Sequence, residues 1–419
     1  MDIPVCIFEG EQYKLLYPLV YMHPIYDLRC GIRTIKEKIF DYFKSEKYFL
    51  HSRQNLSELV KRDNPNIPIN EIDTDICLFI NGKILPNESL IETIEESDHD
   101  TLFVKGEYII AARVSGLNLN KFRNSLSSIF KFSDFEGLIK KEVSVDVINY
   151  PWDLIKYNGQ EISKDFLRLK KKSDNINGKI YEGVIIVNKD NVIIEEGAEI
   201  KPGVVLDAEE GPIYIGKNAK IMPNATIIGP AYIGNNTSIK IGAKIYENTS
   251  IGEYCKIGGE VEGSVVHSYS NKQHDGFLGH SYIMQWVNLG ADTNNSDLKN
   301  NYGSVKVYIN DKLIDSGSMF VGLFMGDHSK SSINTMFNTG SVIGVSCNIF
   351  GEGFPPKYVP SFCWGGKDTF TTYDIEKAID VAKRVMKRRN KEFTEIEENL
   401  FRSTFSITQD ERRKRGLPQ

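Results

Sequence analysis

Four of the seven histidines, His267, His274, His280 and His328, fall between residues 267 and 328. An imidazole titrates near neutrality and so suits proton transfer. The same stretch holds Asn271, Gln273, Asn288, Asn294, Asn295, Asn300 and Asn301 among closely spaced glycines. Carboxamides converging on a histidine suit a ligand rich in hydroxyls and phosphates, each of which needs a hydrogen-bond partner. A metal centre is the weaker reading, because the spacing is wide and neither a cysteine nor a paired carboxylate joins the group.

The elements that must position these residues repeat with a period of six. Ile215, Ile221, Ile227, Ile233, Ile239, Ile245, Ile251 and Ile257 run without a miss. Four residues after each of the first seven stands Ala219, Ala225, Ala231, Thr237, Ala243, Thr249 or Cys255. Six fits neither a helix nor a simple strand alternation. It fits a three-sided parallel β-helix with six residues per side, the isoleucine inward and the small residue at the corner. Upstream, Ile194, Ile200 and Leu206 keep the step, and a bulge around Glu209–Gly211 separates them from Ile215, so the coil is expected from about residue 190. Phe277, Ile283 and Leu289 carry the step briefly, and Met319, Met325, Ser331, Phe337, Ile343 and Ile349 resume it. Residues 292–318 read as an excursion, and long excursions from a repeat tend to be functional. The pattern resembles the hexapeptide-repeat family. That resemblance implies a left-handed coil, three chains packed face to face, and acyl transfer or, in the alternative, a scaffold or binding role.

Residues 1–180 differ. Cys6–Phe8, Asp75–Ile80, Thr101–Val104 and Tyr108–Ala112 read as strands, with helical patterns over Arg33–Phe43 and Leu119–Phe130. This alternation predicts an α/β domain with a mainly parallel sheet. An amphipathic helix is expected from Asp374 to Asn390, with a basic last turn, as a cap on the open end of the coil. The net charge of −5 gives no support to nucleic-acid binding. No long apolar run and no basic-then-apolar start point to a membrane span or signal peptide. The six cysteines are dispersed, which suits reduced thiols and a cytoplasmic protein.

Acetyl transfer to an amine needs a base for the attacking nitrogen and donors for the oxyanion. Lys272-Gln273-His274, Phe277-Leu278-Gly279, Val287-Asn288-Leu289-Gly290-Ala291 and Asn301-Tyr302-Gly303 occur in an order and spacing that resembles one family. It is that of the bifunctional N-acetylglucosamine-1-phosphate uridyltransferase/glucosamine-1-phosphate acetyltransferases. The resemblance implies His274 as general base and Glu262 as an acidic group facing the site. It implies Lys272, Asn288, Asn301 and Tyr302 on the substrate, and Ala291, Asn338 and Thr339 on acetyl-CoA. A divergent bacterial branch is closer still, sharing Gly258–Glu262, Asn271–Ser281, Gly326–Lys330 and Gly353–Phe362.

There are departures. Tyr246 and Ser264 stand where the family has an arginine and a lysine for the sugar phosphate, and Phe277 where it has a tyrosine. Lys272, Lys299 and Lys306 are the candidate replacements. No glycine-rich triphosphate loop follows Cys6-Ile7-Phe8. Instead His23–Lys38 resembles the loop of the divergent branch, which makes Arg29, Gly31, Arg33 and Lys38 candidate phosphate contacts; solvated first turns of a helix are the other reading. Asn81 stands where a metal-binding aspartate is expected, with Asp153 as the candidate carboxylate to bind Mg²⁺ in its place.

The sequence thus predicts a Rossmann-like nucleotidyltransferase-like α/β domain over 1–180, a left-handed β-helix over 190–365 and a helical tail over 366–419. The expected activity is acetylation of an amino-sugar 1-phosphate by acetyl-CoA, coupled to nucleotidyl transfer from UTP or dTTP by a homotrimer. An acyltransferase with an inactive first domain and a non-catalytic sugar-nucleotide-binding scaffold remain alternatives.

Overall fold

The computed structural model describes residues 3–124, 126, 128–170, 175–367 and 369–417. The N-terminal domain is built on a six-stranded sheet in the spatial order Tyr48–Leu50, Val5–Phe8, Ile76–Asn81, Tyr108–Ser115, Thr101–Lys105, Ile139–Glu142. Val5–Phe8 pairs in parallel with both neighbours, whereas Tyr108–Ser115 is antiparallel to both of its own. The sheet is therefore mixed rather than mainly parallel. The cause is local: only Gly106 and Glu107 separate Lys105 from Tyr108, and so short a link makes a hairpin, not a crossover.

The β-helix begins with Lys179–Ile180, earlier than the clean repeat suggests. Its three faces follow one another in chain order, starting with Lys179–Ile180 on the first, Ile185–Val187 on the second and Val192–Ile194 on the third. The isoleucines spaced by six all point inward and are buried. Each such side chain contributes roughly 1.5–3 kcal/mol by leaving water. Corners need a residue in the left-handed region, and asparagine, which tolerates it, fills this role at Asn218, Asn224, Asn236 and Asn248. On the corner between the third and first faces Tyr254, Tyr269, Trp286 and His328 take that conformation instead and stack in a ladder.

Three details differ from the repeat read off the sequence. Leu278, not Phe277, is the inward residue. Met319 is half exposed, and the array resumes only at Leu323–Met325. The excursion between Asn295 and Leu323 carries a hairpin of Lys306–Ile309 and Lys312–Asp315. The final coil ends in a second hairpin, Cys363–Gly365 with Phe370–Thr372, which crosses the expected boundary at residue 365.

The third face is covered by the same chain. Its outward Val265, Tyr282, Phe324 and Val342 share one core with Leu19, Tyr26 and Leu28 of the N-terminal domain. Val305 and Val307 of the excursion join that core, as do Ala382, Met386 and Phe401 of the tail. The amphipathic helix, Ile375–Lys387, thus buries its apolar stripe in a shared core instead of capping the open end. Among the described residues no helix is long and apolar enough to cross a membrane.

Candidate functional site

The site around His274 arises from a shortened corner. From the first face to the second, inward residues are normally six apart, as in Ile239 and Ile245 or Lys272 and Leu278. One coil goes directly from Ile257 to Val261. Gly258 and Gly259 make that short turn, with Gly259 at φ +71°. Full corners lie on either side of it, Lys240–Ala243 before and Gln273–Gly276 after. The missing residues leave a notch of about 430 Å³ lined by Met222, Lys240, Gly258, Gly259, His274 and Ala291, among others. His274 is exposed at this notch, and Asp275 and Asp292 stand beside it.

Lys272 is buried beneath. Its amine donates to the carbonyls of Gly258 and His274, both at 3.0 Å. Burial pulls its pKa down to about 8 against the opposing charges of Asp275, Asp292 and Glu260. It underpins the turn rather than reaching out of it, which is not the substrate contact the resemblance implied. Asn288 lies on the first face, where its carbonyl oxygen accepts weakly from Asn271 at 3.4 Å. Asn271 in turn accepts from Arg389 of the tail at 2.6 Å.

The remaining residues expected here lie elsewhere on the coil. Glu262 ends a second-face strand, and Asn338 and Thr339 sit near the opposite corner of that face. Asn301 and Tyr302 are exposed on the excursion. The structure therefore splits the expected set between the two edges of the second face. At the far edge stands a pair that sequence reasoning missed: His280 Nδ1 lies 2.8 Å from Asp297 Oδ2. The pair leaves Nε2 against Gly263. Burial raises the Glu262 carboxyl, and the neighbouring His280 opposes that rise. Asp297 belongs to the excursion, so only the prior that excursions carry function could have flagged it.

His267 and His328 belong to neither edge. They line a cavity of about 640 Å³ where the N-terminal domain, the β-helix and the tail meet. There His23 Nε2 lies 2.8 Å from Asp327 Oδ1, and Arg29 donates to both oxygens of Glu253 at 2.9 and 3.0 Å. His267 Nδ1 accepts from the Ser268 amide, so its Nε2 is the donor to the Asp27 carbonyl at 3.1 Å. Burial, with Arg29 and His23 close by, pushes His267 down to about 4.

The candidate phosphate contacts in the N-terminal loop serve this junction. Arg29 is committed to Glu253, and its backbone exchanges hydrogen bonds with the Tyr282 hydroxyl. Gly31 is packed so tightly that a Cβ would lie 2.7 Å from Asp165 and from the Glu161 backbone. Lys38 is buried between Glu161 and Asp165 at 2.8 and 2.7 Å. Arg33 pairs with Asp41 at 3.0 Å on the surface. Where phosphate ligands were expected, the charges are already neutralised within the protein.

The strand ends of the N-terminal sheet tell a similar story. The buried Glu9 carboxylate accepts from Ile25 N, Arg53 N and Arg53 Nε. This ties the chain just after Phe8 to the segments carrying Ile25 and Arg53. The Asn81 amide donates to the Ile109 carbonyl, and its oxygen accepts from Lys83 N. Asp153 accepts from the amides of Asn149 and Tyr150 and caps helix Pro151–Leu169. Among the described residues no three His, Cys, Asp or Glu side chains are placed to hold a metal, and the side-chain oxygens of Asn81 and Asp153 are both engaged by backbone amides. Lys83 was not anticipated. Its amine is buried at the end of the central strand, 3.2 Å from Asn149 Oδ1, with its pKa drawn down to about 8 by burial. Its signal was position, since α/β sheets bind ligands beyond the carboxyl ends of their strands.

Residues 5–174 match the family model described as sugar nucleotidyl transferase. Residues 212–240 and 230–262 match the bacterial transferase hexapeptide repeat, whose coil is the left-handed one expected. The chain is related to bifunctional nucleotidylyltransferase/acetyltransferases. The bifunctional sugar-1-phosphate nucleotidylyltransferase/acetyltransferase of Sulfurisphaera tokodaii is 32% identical over 55% of this chain and 53% of its own. Bifunctional protein GlmU of Methanocaldococcus jannaschii is 30% identical over 66% of this chain and 57% of its own. A GlmU of Methanococcus maripaludis is 26% identical over 75% and 81%. The match to the first two spans little more than half of each relative.

Proposed function

We propose that the protein acetylates an amino-sugar 1-phosphate, glucosamine 1-phosphate being favoured, from acetyl-CoA. The observation that carries this reading is the exposed His274 at the rim of a notch formed by a shortened corner. The amine attacks the thioester carbonyl, His274 accepts the proton that nitrogen loses, and the carbon–sulfur bond breaks as that proton passes to the departing sulfur, releasing coenzyme A as the thiol. Residues at the far edge of the second face, Glu262, Asn301, Tyr302, Asn338 and Thr339, act on the same substrate if a neighbouring copy brings its edge to the notch. This favours a homotrimer.

The N-terminal domain is read as the nucleotidyltransferase half, using UTP or dTTP to give a nucleotide sugar such as UDP-N-acetylglucosamine. A second reading, in which this domain binds substrate without turnover, is favoured by the engaged Asn81 and Asp153. Two assays separate the readings. Thiol release from acetyl-CoA with glucosamine 1-phosphate should appear in the native protein and fall by roughly 10²-fold or more in His274→Ala. Pyrophosphate release from UTP or dTTP with N-acetylglucosamine 1-phosphate and Mg²⁺ should appear only if the first domain is active. No thiol release with any amino-sugar phosphate sinks the acetyl-transfer reading.

A further inference from the structure

The first-face residues that point into the coil read Ile200, Ile221, Ile239, Ile257 and then Lys272. A lysine holds a position that the four preceding coils give to isoleucine, and it is 2% exposed there. Placing a cation in an apolar prism works against stability unless its hydrogen bonds are met. The charges nearest to it, Asp275, Asp292 and Glu260, act at a distance. Its hydrogen bonds go to backbone: one to Gly258 in the shortened corner, the other to His274 itself. The niche is cut to fit, since a Cβ on Gly259 would come within 2.6 Å of the amine.

We infer that Lys272 is a positioning residue whose amine ties the turn carrying His274 to the floor of the notch it faces. The kinetic consequence rests on the acetyl-transfer reading above; the tie itself does not. A side chain kept for this purpose has an unusual signature: removing it harms turnover without harming the fold. Lys272→Met retains the length and supplies an apolar filling for the coil. Gly259→Ala crowds the same amine from the opposite side and also strains the corner, since φ is +71° and a Cβ would lie 2.8 Å from the Gly276 carbonyl.

Both variants should lower kcat for thiol release by about tenfold to a hundredfold, the scale of an ångström-sized misplacement. The KM for the sugar phosphate should stay within about twofold. Lys272→Met should melt at the native temperature or above it. Amide hydrogen exchange across Gln273–Gly276 should quicken in both variants, a readout that needs no substrate. A raised KM with intact kcat would make Lys272 a substrate contact and overturn the inference. So would unchanged exchange, unchanged kcat, or, in Lys272→Met, a fall in melting temperature that accounts for the lost activity. If the native protein releases no thiol, the functional reading fails while the exchange experiment still decides the tie.

Discussion

His23 and His267 stack with ring centres 6.0 Å apart, yet burial acts on them with opposite results. Burial pulls His23 down, but the Asp327 carboxylate overcomes this and leaves it raised above the ordinary value. His267 has no such partner and falls to about 4. The unfolded value of each is about 6.5. His23 therefore contributes stability that is fully present below pH 6.5 and is lost as pH rises through its folded pKa. For His267 the sign reverses: the unfolded chain takes up a proton first, so stability is lost as pH falls from about 6.5 towards 4. Glu253, buried but held down to about 2 chiefly by Arg29, adds a further loss as pH drops below its unfolded value of about 4.3. The melting temperature should accordingly peak near neutral pH. Differential scanning calorimetry from pH 4 to 9 checks this, and His23→Gln should flatten the alkaline side alone; an unaltered alkaline slope would mean another group sets it. Lys38 gives a second test. With Glu161 and Asp165 left facing each other, Lys38→Met should cost about 3–5 kcal/mol in urea unfolding, whereas a phosphate-binding surface lysine would cost almost nothing.

Elements meet at the junction through glycine. Gly31, at φ +88°, lies against helix Pro151–Leu169, and Gly159 within that helix lets Asn248 of the β-helix approach. A Cβ on Gly159 would fall 1.8 Å from Asn248 Oδ1. Gly31→Ala and Gly159→Ala should each destabilise by roughly 2–4 kcal/mol, from overpacking and, at Gly31, backbone strain as well. Chemical denaturation measures this, and values below about 0.5 kcal/mol would mean the packing relaxes freely. The sequence gives no hint of this contact. Glycine in a helical pattern reads only as a weak spot, and its partner lies far along the chain. The isoleucine ladder was legible because each coil repeats the same local rule. Lys272 was not legible as an interior residue, because the count of six passes straight over the shortened Gly258–Gly259 corner. Likewise the count of six points to Phe277, one residue short of the inward Leu278.

At the scale of the whole molecule, the resemblance led correctly to two kinds of domain but said nothing of how they join. Single-residue patterns report burial, not what does the burying. Tyr282 and Phe324 would look like a face awaiting another copy, yet the chain's own N-terminal domain and tail cover it. A fragment starting near residue 179 should therefore expose a broad apolar surface and aggregate. Size-exclusion chromatography of that fragment against the full chain tests this, and a soluble, compact fragment would show that the shared core is dispensable.

The same junction governs how the protein can be made. His23 meets Asp327 across a sequence separation of 304, Arg62 meets Glu397 across 335, and Tyr21 meets Glu411 across 390. An N-terminal domain leaving the ribosome must wait, its docking loop bare, until the chain has been synthesised past Glu411. Stalled chains released before residue 395 should be protease-sensitive around residues 18–34, and full-length chains resistant. Translation itself thus becomes a period of vulnerability for this protein, and its length is set by how far along the chain the partners of the docking loop lie.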